Sequence, residues 1–410
     1  MLNTASKRLL VVSTNFWPEA SGIAIYATDL VTRALPQDCE VMVLTAAPHY
    51  QWDANEEVPT AMNVSETSFR PAQIVRVPLK ISTQKNAISR ALLEYSFWKN
   101  ARGKIREFDS ISFDAVIAIM PTVASGLVAR RFAKERAIPG LIIFQDLSSA
   151  GALQSGLPGA RALARLARFL EARASTWATQ IAVISPAMIK PVQELSRNKI
   201  PIDVIYNYTV TEFPHMEQGA AREQFLFLKS DFIVMHTGNI GFKQDLINVV
   251  NTAKFLTADP DIKIYIVGHG NQEEDVRVAI RELDNVFLLP AVPVEQYPAL
   301  LAAADLLLIN ERPSQMEMSL PSKLTSYLAA NRPVIAAVPI GGATNRYLEG
   351  LAEIVPAGDP QALANGMITL RHNFERRTEL ANNGLVFAQE YLSAETGRAN
   401  YRNWVNQLFE

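Results

Sequence analysis

Short runs rich in Val, Ile and Leu alternate with longer helix-like stretches along the whole 410-residue chain. This alternation most restricts the folds open to it. The strand candidates in the first half are Leu9–Ser13, Val41–Thr45, Ile74–Val77, Ala115–Ile119, Leu141–Phe144, Ile181–Ile184 and Val204–Tyr206. In the second half they are Phe232–His236, Ile264–Val267, Val286–Leu289, Leu306–Ile309, Val334–Ala337 and Ala352–Val355. They are bounded by Gly, Pro, Asp or Asn and lack strict polar alternation, as strands covered on both faces of a parallel sheet do. Helix-like segments between them include Ile25–Ala34, Ala124–Arg136, Leu246–Phe255 and Glu273–Leu283. The pattern predicts doubly wound α/β architecture. It starts afresh at Phe232, after the polar stretch Tyr208–Gln224, so two Rossmann-like domains are expected, at 1–207 and 208–385. The tail, 386–410, is helical in pattern and carries Phe387, Tyr391, Tyr401, Trp404 and Phe409.

Composition excludes several classes. Hydrophobic residues at 49% and charged residues at 20% are those of a globular protein, so wholesale disorder is ruled out. The net charge of −2 offers nothing to nucleic acid. Cys39 is the single cysteine, which leaves no internal disulfide or multi-Cys zinc site and suits a reducing cytoplasm. The five histidines are dispersed without metal-ligand spacing, so no metal site is expected. The apolar run Leu9–Val12 is too short for a signal peptide, and Ala115–Ala129, interrupted by Pro121, is too short to span a bilayer.

In folds of this class, ligands bind at the carboxyl ends of strands and at helix N-termini. Four turns qualify. Trp17–Ile23 places Gly22 ahead of a helix. His236-Thr237-Gly238-Asn239-Ile240-Gly241-Phe242-Lys243 joins glycines and one lysine, a combination suited to phosphate, without Walker A spacing. Val267-Gly268-His269-Gly270 is a lone GxG. Ser319–Ala330 reads as a helix opening with Pro321 and Ser322, with Lys323 in its first turn, where a cation opposes the helix dipole unless an anion is held there. Each turn also admits a plain reading: an ordinary βα connection, or a lysine in water. Glu311 and Glu317 fall in the loop before the last turn, where solvated carboxylates are equally natural.

Together the motifs are similar to those of retaining glycosyltransferases of family 4, nearly end to end. Those in the first half are Val11–Glu19 with Ser21–Ala24, Thr45–Tyr50, Val183-Ile184-Ser185 and Ile205-Tyr206-Asn207. Those in the second are Thr237–Gly241 with Lys243-Gln244, Leu320–Thr325, Leu328-Ala329-Ala330 and Arg332–Ile335. Within the family the chain resembles the colanic acid and O-antigen subgroup. The resemblance implies a GT-B fold: two Rossmann-like domains facing across a cleft, with the C-terminal helix crossing back to the first. It implies a nucleotide-sugar donor on the second domain and an acceptor on the first. Carried over by position, donor binding falls to Gly22, Gly238, Asn239, Lys243, Gly268, Leu289, Ser322, Lys323 and Ser326, and catalysis to Lys243, Lys323 and Glu317.

Three departures from the family stand out. Many relatives carry two Glu separated by seven residues around this helix; here the second falls on Ser326, and the first on Met318 or nearby Glu317. The Arg that often precedes the phosphate Lys is Asn239. A histidine after the fourth strand is replaced by Met120-Pro121-Thr122.

The expected reaction is transfer of a hexose from a UDP- or GDP-linked donor to a hydroxyl of a glycan or polyprenyl-linked acceptor, with retention and without a metal cofactor. Two rivals share the architecture: a nucleotide-sugar 2-epimerase and a non-catalytic nucleotide-sugar-binding partner. Basic amphipathic stretches at 80–106 and 159–177 could face an anionic membrane, or could be ordinary helices with their apolar faces in the core. The expected location is the cytoplasm, with peripheral contact to the inner face of the plasma membrane.

Overall fold

The computed structural model describes residues 6–19, 22–49, 72–81, 87–149, 160–210, 213–214, 216–314 and 321–409. The chain divides into two compact units, Met1–Val210 with Ala394–Glu410, and Thr211–Ser393.

The first unit holds a seven-stranded sheet of β1 (Lys7–Val12), β2 (Cys39–Ala46), β3 (Ala72–Val77), β4 (Ala115–Met120), β5 (Gly140–Phe144), β6 (Gln180–Val183) and β7 (Ile202–Val204). The second holds a six-stranded sheet of β8 (Phe232–Thr237), β9 (Ile262–Val267), β10 (Val286–Leu289), β11 (Leu306–Asn310), β12 (Val334–Val338) and β13 (Ala352–Pro356). The orders are β3-β2-β1-β4-β5-β6-β7 and β10-β9-β8-β11-β12-β13, and all pairs are parallel. Each sheet reverses direction of growth once, between β1 and β4 and between β8 and β11, and ligands of such folds bind at that switch.

The interior strands explain the apolar runs. Every residue of β4, β8, β11 and β12 is buried, because helices cover both faces. The edge strand β3 is more open and carries Gln73 and Arg76, which blunts a sheet edge.

Three expected helices end early. Ile23–Asp29 turns π-helical over Leu30–Ala34, and Leu246–Thr252 tightens to a 3₁₀ turn over Ala253–Phe255. Glu273–Ala279 closes with short i→i−3 bonds, Arg281 to Val278 and Leu283 to Ile280, which satisfy its last carbonyls. The tail is two helices, Phe374–Tyr391 and Ala394–Asn406, so a single element does not run from 386 onward.

The last helix is part of the first unit. Tyr401, Trp404 and Val405 join the core formed by Leu9, Val31 and Leu35. Arg398 donates two bonds to the buried Asp29, at 2.6 and 2.9 Å, and Tyr208 Oη donates a third at 2.7 Å. Burial alone would raise the Asp29 pKa, but these bonds outweigh it and hold the carboxylate below its usual range.

Candidate functional site

In the second unit, the switch between β8 and β11 opens onto a small pocket. Lys243, Gln244, Ile309, Asn310, Glu311, Pro321 and Lys323 line it. Lys243 and Lys323 stand 80 residues apart in sequence and share this one recess.

Lys243 is positioned by the end of β11. Its turn, Phe242–Gln244, is held by Asn310 Nδ2, which donates to the Gln244 and Asp245 carbonyls at 2.8 and 3.0 Å. Asn310 is itself fixed by Asn248, whose Nδ2 donates to its Oδ1 at 2.9 Å. Arg312 closes the clamp: its backbone N–H donates to the Lys243 carbonyl at 3.1 Å and its Nε to Phe242 at 2.7 Å. The Lys243 side chain remains exposed.

Lys323 opens the helix Lys323–Ala329, and its ammonium turns inward. Nζ donates to His236 Nε2 at 2.9 Å. His236 Nδ1 lies 3.2 Å from the Leu308 carbonyl, and the ring also meets the Asn239 carbonyl. His236 is fully buried, and burial with the neighbouring Lys323 charge holds its pKa well below the usual imidazole value. Burial pushes Lys323 down to about 7, with Glu311 opposing the shift. The same burial pushes Glu311 up to about 7, against its bond from Thr344 and the charges of Lys243 and Lys323. Lys323 and Glu311 are thus both pushed toward neutral pH beside the exposed Lys243, an arrangement suited to receiving an anion.

The glycines explain how the loops fit together. The Gly238 N–H donates to Val267 at 2.8 Å, and the Gly268 N–H to Leu289 at 3.0 Å, which joins the ends of β8, β9 and β10. Gly268 takes φ +149°, and a Cβ there would lie 1.9 Å from the Gly238 carbonyl oxygen. Gly238 takes φ +106°, and a Cβ on it would meet Lys323 Cε at 3.7 Å. Gly268 thus needs glycine for backbone approach as well as for conformation, and Gly238 for conformation alone.

The two units match known families separately. The Glycosyl transferase 4-like domain family matches residues 21–208, and the Glycosyl transferases group 1 family matches residues 231–373. The chain belongs to these glycosyltransferases. WcaI of Escherichia coli strain K12, named as a colanic acid biosynthesis glycosyl transferase, is 26% identical, with 98% of this chain and 99% of the relative covered. Among solved structures, sucrose-phosphate synthase from Thermosynechococcus elongatus superposes with a TM-score of 0.75 at 18% identity, covering 98% and 99% of the two chains. Anabaena Alr3699/HepE, solved with UDP and glucose, gives 0.66 at 13% identity, covering 98% and 100%. These likenesses establish the GT-B fold.

The sequence-derived site residues of this glycosyltransferase are placed as follows. Gly238, Asn239, Lys243, Gly268, Leu289, Ser322, Lys323 and Ser326 all belong to the second unit. Gly22 belongs to the first, at φ +59° just before Ile23–Asp29. Glu317 and Met318 lie outside the described residues. Asn239 is exposed, with its Nδ2 3.4 Å from Gln244 Oε1. Ser322 is exposed and makes no side-chain cap, and the Leu324 amide is already bonded to the Pro321 carbonyl, so this first turn offers fewer free amides than expected. Ser326 hydrogen-bonds with Tyr297. Tyr297 Oη in turn lies 3.0 Å from Thr237 Oγ1, and Tyr327 Oη accepts from the Thr237 N–H at 2.8 Å.

Glu311 overturns one reading of the sequence. It is 5% exposed and built into the pocket wall, not a solvated loop carboxylate. Its N–H still pairs with Ala337 at 2.9 Å, which extends the β11–β12 ladder by one residue and turns an apparent loop position inward. Its place at a strand's carboxyl end was the available signal. In the first unit, the helix Val123–Arg136 has its first amides taken by Glu94, with Ala124 N–H donating at 2.9 Å. Burial raises the Glu94 pKa against that bond.

Proposed function

We propose that this glycosyltransferase moves a hexose from a UDP- or GDP-linked donor to a hydroxyl of a lipid-linked glycan, with retention, in surface polysaccharide biosynthesis. The convergence of Lys243 and Lys323 on one pocket at the switch point of the second sheet carries this reading. The HepE structures with UDP, glucose and UDP-glucose support a nucleotide-sugar donor, and the name of WcaI supports the polysaccharide context.

In the reaction, the bond from the anomeric carbon to the diphosphate oxygen breaks, and the acceptor oxygen takes the carbon. The acceptor's proton passes to the leaving phosphate oxygen. The leaving group gathers negative charge, and prepositioned cations in a dry site are the largest source of help for it. Lys243 and Lys323 supply that charge in this reading, so no metal ion is assigned a part. Gly22 and the acceptor belong to the first unit, and Glu317 enters by resemblance alone. A thermal-shift panel of UDP, GDP and their hexose conjugates, followed by product analysis, tests the proposal. Stabilisation by one nucleotide series and acceptor-dependent sugar release are expected. An altered free sugar nucleotide formed from donor alone would indicate an epimerase, and binding without turnover on any glycan a binding partner.

The acceptor side has its own support. The helices Ala87–Lys104 and Ala160–Ser175 both pack on Val123–Arg136. They leave Leu92, Tyr95, Leu166 and Phe169 exposed, the last at 62%, among the exposed Arg90, Lys99, Arg165 and Arg173. Apolar side chains inside a basic face suit an anionic membrane surface, where a lipid-linked acceptor resides. No helix among the described residues is long and apolar enough to cross a membrane. Co-sedimentation with phosphatidylglycerol vesicles at low salt is expected, and it should weaken severalfold in L166D/F169D. Failure to bind such vesicles removes the membrane contact from the account.

A further inference from the structure

Glu311 has an unexplained oxygen. Its Oε1 accepts from Thr344 Oγ1 at 2.9 Å. Its Oε2 is enclosed and has no hydrogen-bond partner among the described residues. An orphaned carboxylate oxygen in a protein interior is costly, and calls for a partner that arrives later. The residue lines the pocket shared by Lys243 and Lys323.

We propose that Glu311 contacts the nucleotide-sugar donor, meeting the ligand held by Lys243 and Lys323 as a neutral acid and donating a hydrogen bond from Oε2. This rests on the donor reading above. In the free enzyme, Glu311 is the counter-charge to the two lysines. When a pyrophosphate takes over the lysines, an ionised carboxyl beside it would be repelled, whereas a protonated one supplies a donor. Donor binding is therefore coupled to proton uptake from solvent.

The groups facing Glu311 are few. Lys323 approaches from its helix, with neutral His236 of β8 behind it. Lys243 comes from the turn after β8, and Thr344 from the helix Ala343–Tyr347. The adjacent Arg312 is turned onto the Phe242 carbonyl and ring. Burial places both Glu311 and Lys323 at about 7, and the bound state requires each to be protonated. Affinity should thus be highest below about pH 7 and fall as pH rises through it.

Calorimetric titration of UDP-glucose and GDP-mannose between pH 6 and 8.5 tests this, because the pyrophosphate diesters of these probes do not titrate there. For whichever probe binds, the wild-type log affinity should fall above pH 7 with a slope approaching about two protons. In E311Q the slope should approach about one. The amide needs no proton to donate, so E311Q should bind roughly tenfold or more tighter than wild type at pH 8.5. E311A should lose roughly tenfold at pH 6.5. E311Q keeps an oxygen toward Thr344, so it decides the matter alone if E311A does not fold by thermal unfolding. An unchanged slope in E311Q, or weaker binding by E311Q at every pH, overturns the proposal while leaving the donor reading intact. A wild type that binds neither probe at millimolar concentration overturns the donor reading and this proposal with it.

Discussion

Replacing Lys323 with Met should lower sugar transfer by at least roughly a hundredfold while leaving thermal stability unchanged or higher. The first part follows from charge development. Removing one prepositioned donor from a leaving oxyanion costs about 10²–10³ in turnover. The second follows from burial. An ammonium packed against neutral His236, with its pKa pushed down to about 7, is a poor stabiliser, and Met fills similar volume without desolvation. A lysine retained on structural grounds would give the opposite pattern: lower stability and little change in turnover. Transfer assays and thermal unfolding on one preparation separate the two. Lys243→Ala should act more mildly, because this side chain is exposed. A single charge-assisted bond contributes about 1.5–3 kcal/mol, so donor affinity should fall roughly tenfold or more with little effect on stability.

Gly268→Ala should be the most disruptive small substitution in the second unit. A Cβ at this position would lie 1.9 Å from the Gly238 carbonyl oxygen, and φ of +149° is a conformation that alanine rarely adopts. Two backbone segments must separate, and the bond from the Gly238 N–H to Val267 goes with them. Strain of this kind costs on the order of 2–4 kcal/mol. Because Gly238 abuts the Lys323 side chain, the displacement reaches the pocket. Donor affinity should therefore fall more than roughly tenfold even at temperatures where the variant is folded. Gly103→Ala is the control: it lies in the last turn of Ala87–Lys104 with nothing within 4 Å of the new methyl, and should be neutral or slightly stabilising. Equal stability and donor binding in the two variants would contradict the interlocked-loop account.

The strands were legible because parallel strands covered on both faces must be continuous apolar runs, and β4, β8, β11 and β12 are buried at every position. The edge was harder. β7 is Ile202–Val204, with Asp203 exposed, and the sequence points two residues later, toward the buried Ile205. Lys243 and Lys323 were legible because each follows a strand in a Gly- or Pro-marked turn. What brings them together was not. The Asn310 clamp, the His236 contact and the Gly238–Gly268 approach are pairings between distant segments, and no local pattern encodes them. Glu311 was obscured for the related reason that one extra ladder bond, to Ala337, decides which way it faces. The sequence does mark Ser326 as a departure from its relatives, and the structure supplies its partner, Tyr297.

The central claim is that two lysines of the second unit grip one pyrophosphate. A crystal structure of the chain with its preferred nucleoside diphosphate tests this most directly. The account predicts diphosphate oxygens about 2.7–3.0 Å from Nζ of both Lys243 and Lys323, with the Lys323 ammonium drawn off His236. A diphosphate bound elsewhere, or one that leaves Lys323 on His236 and Lys243 in solvent, would contradict it.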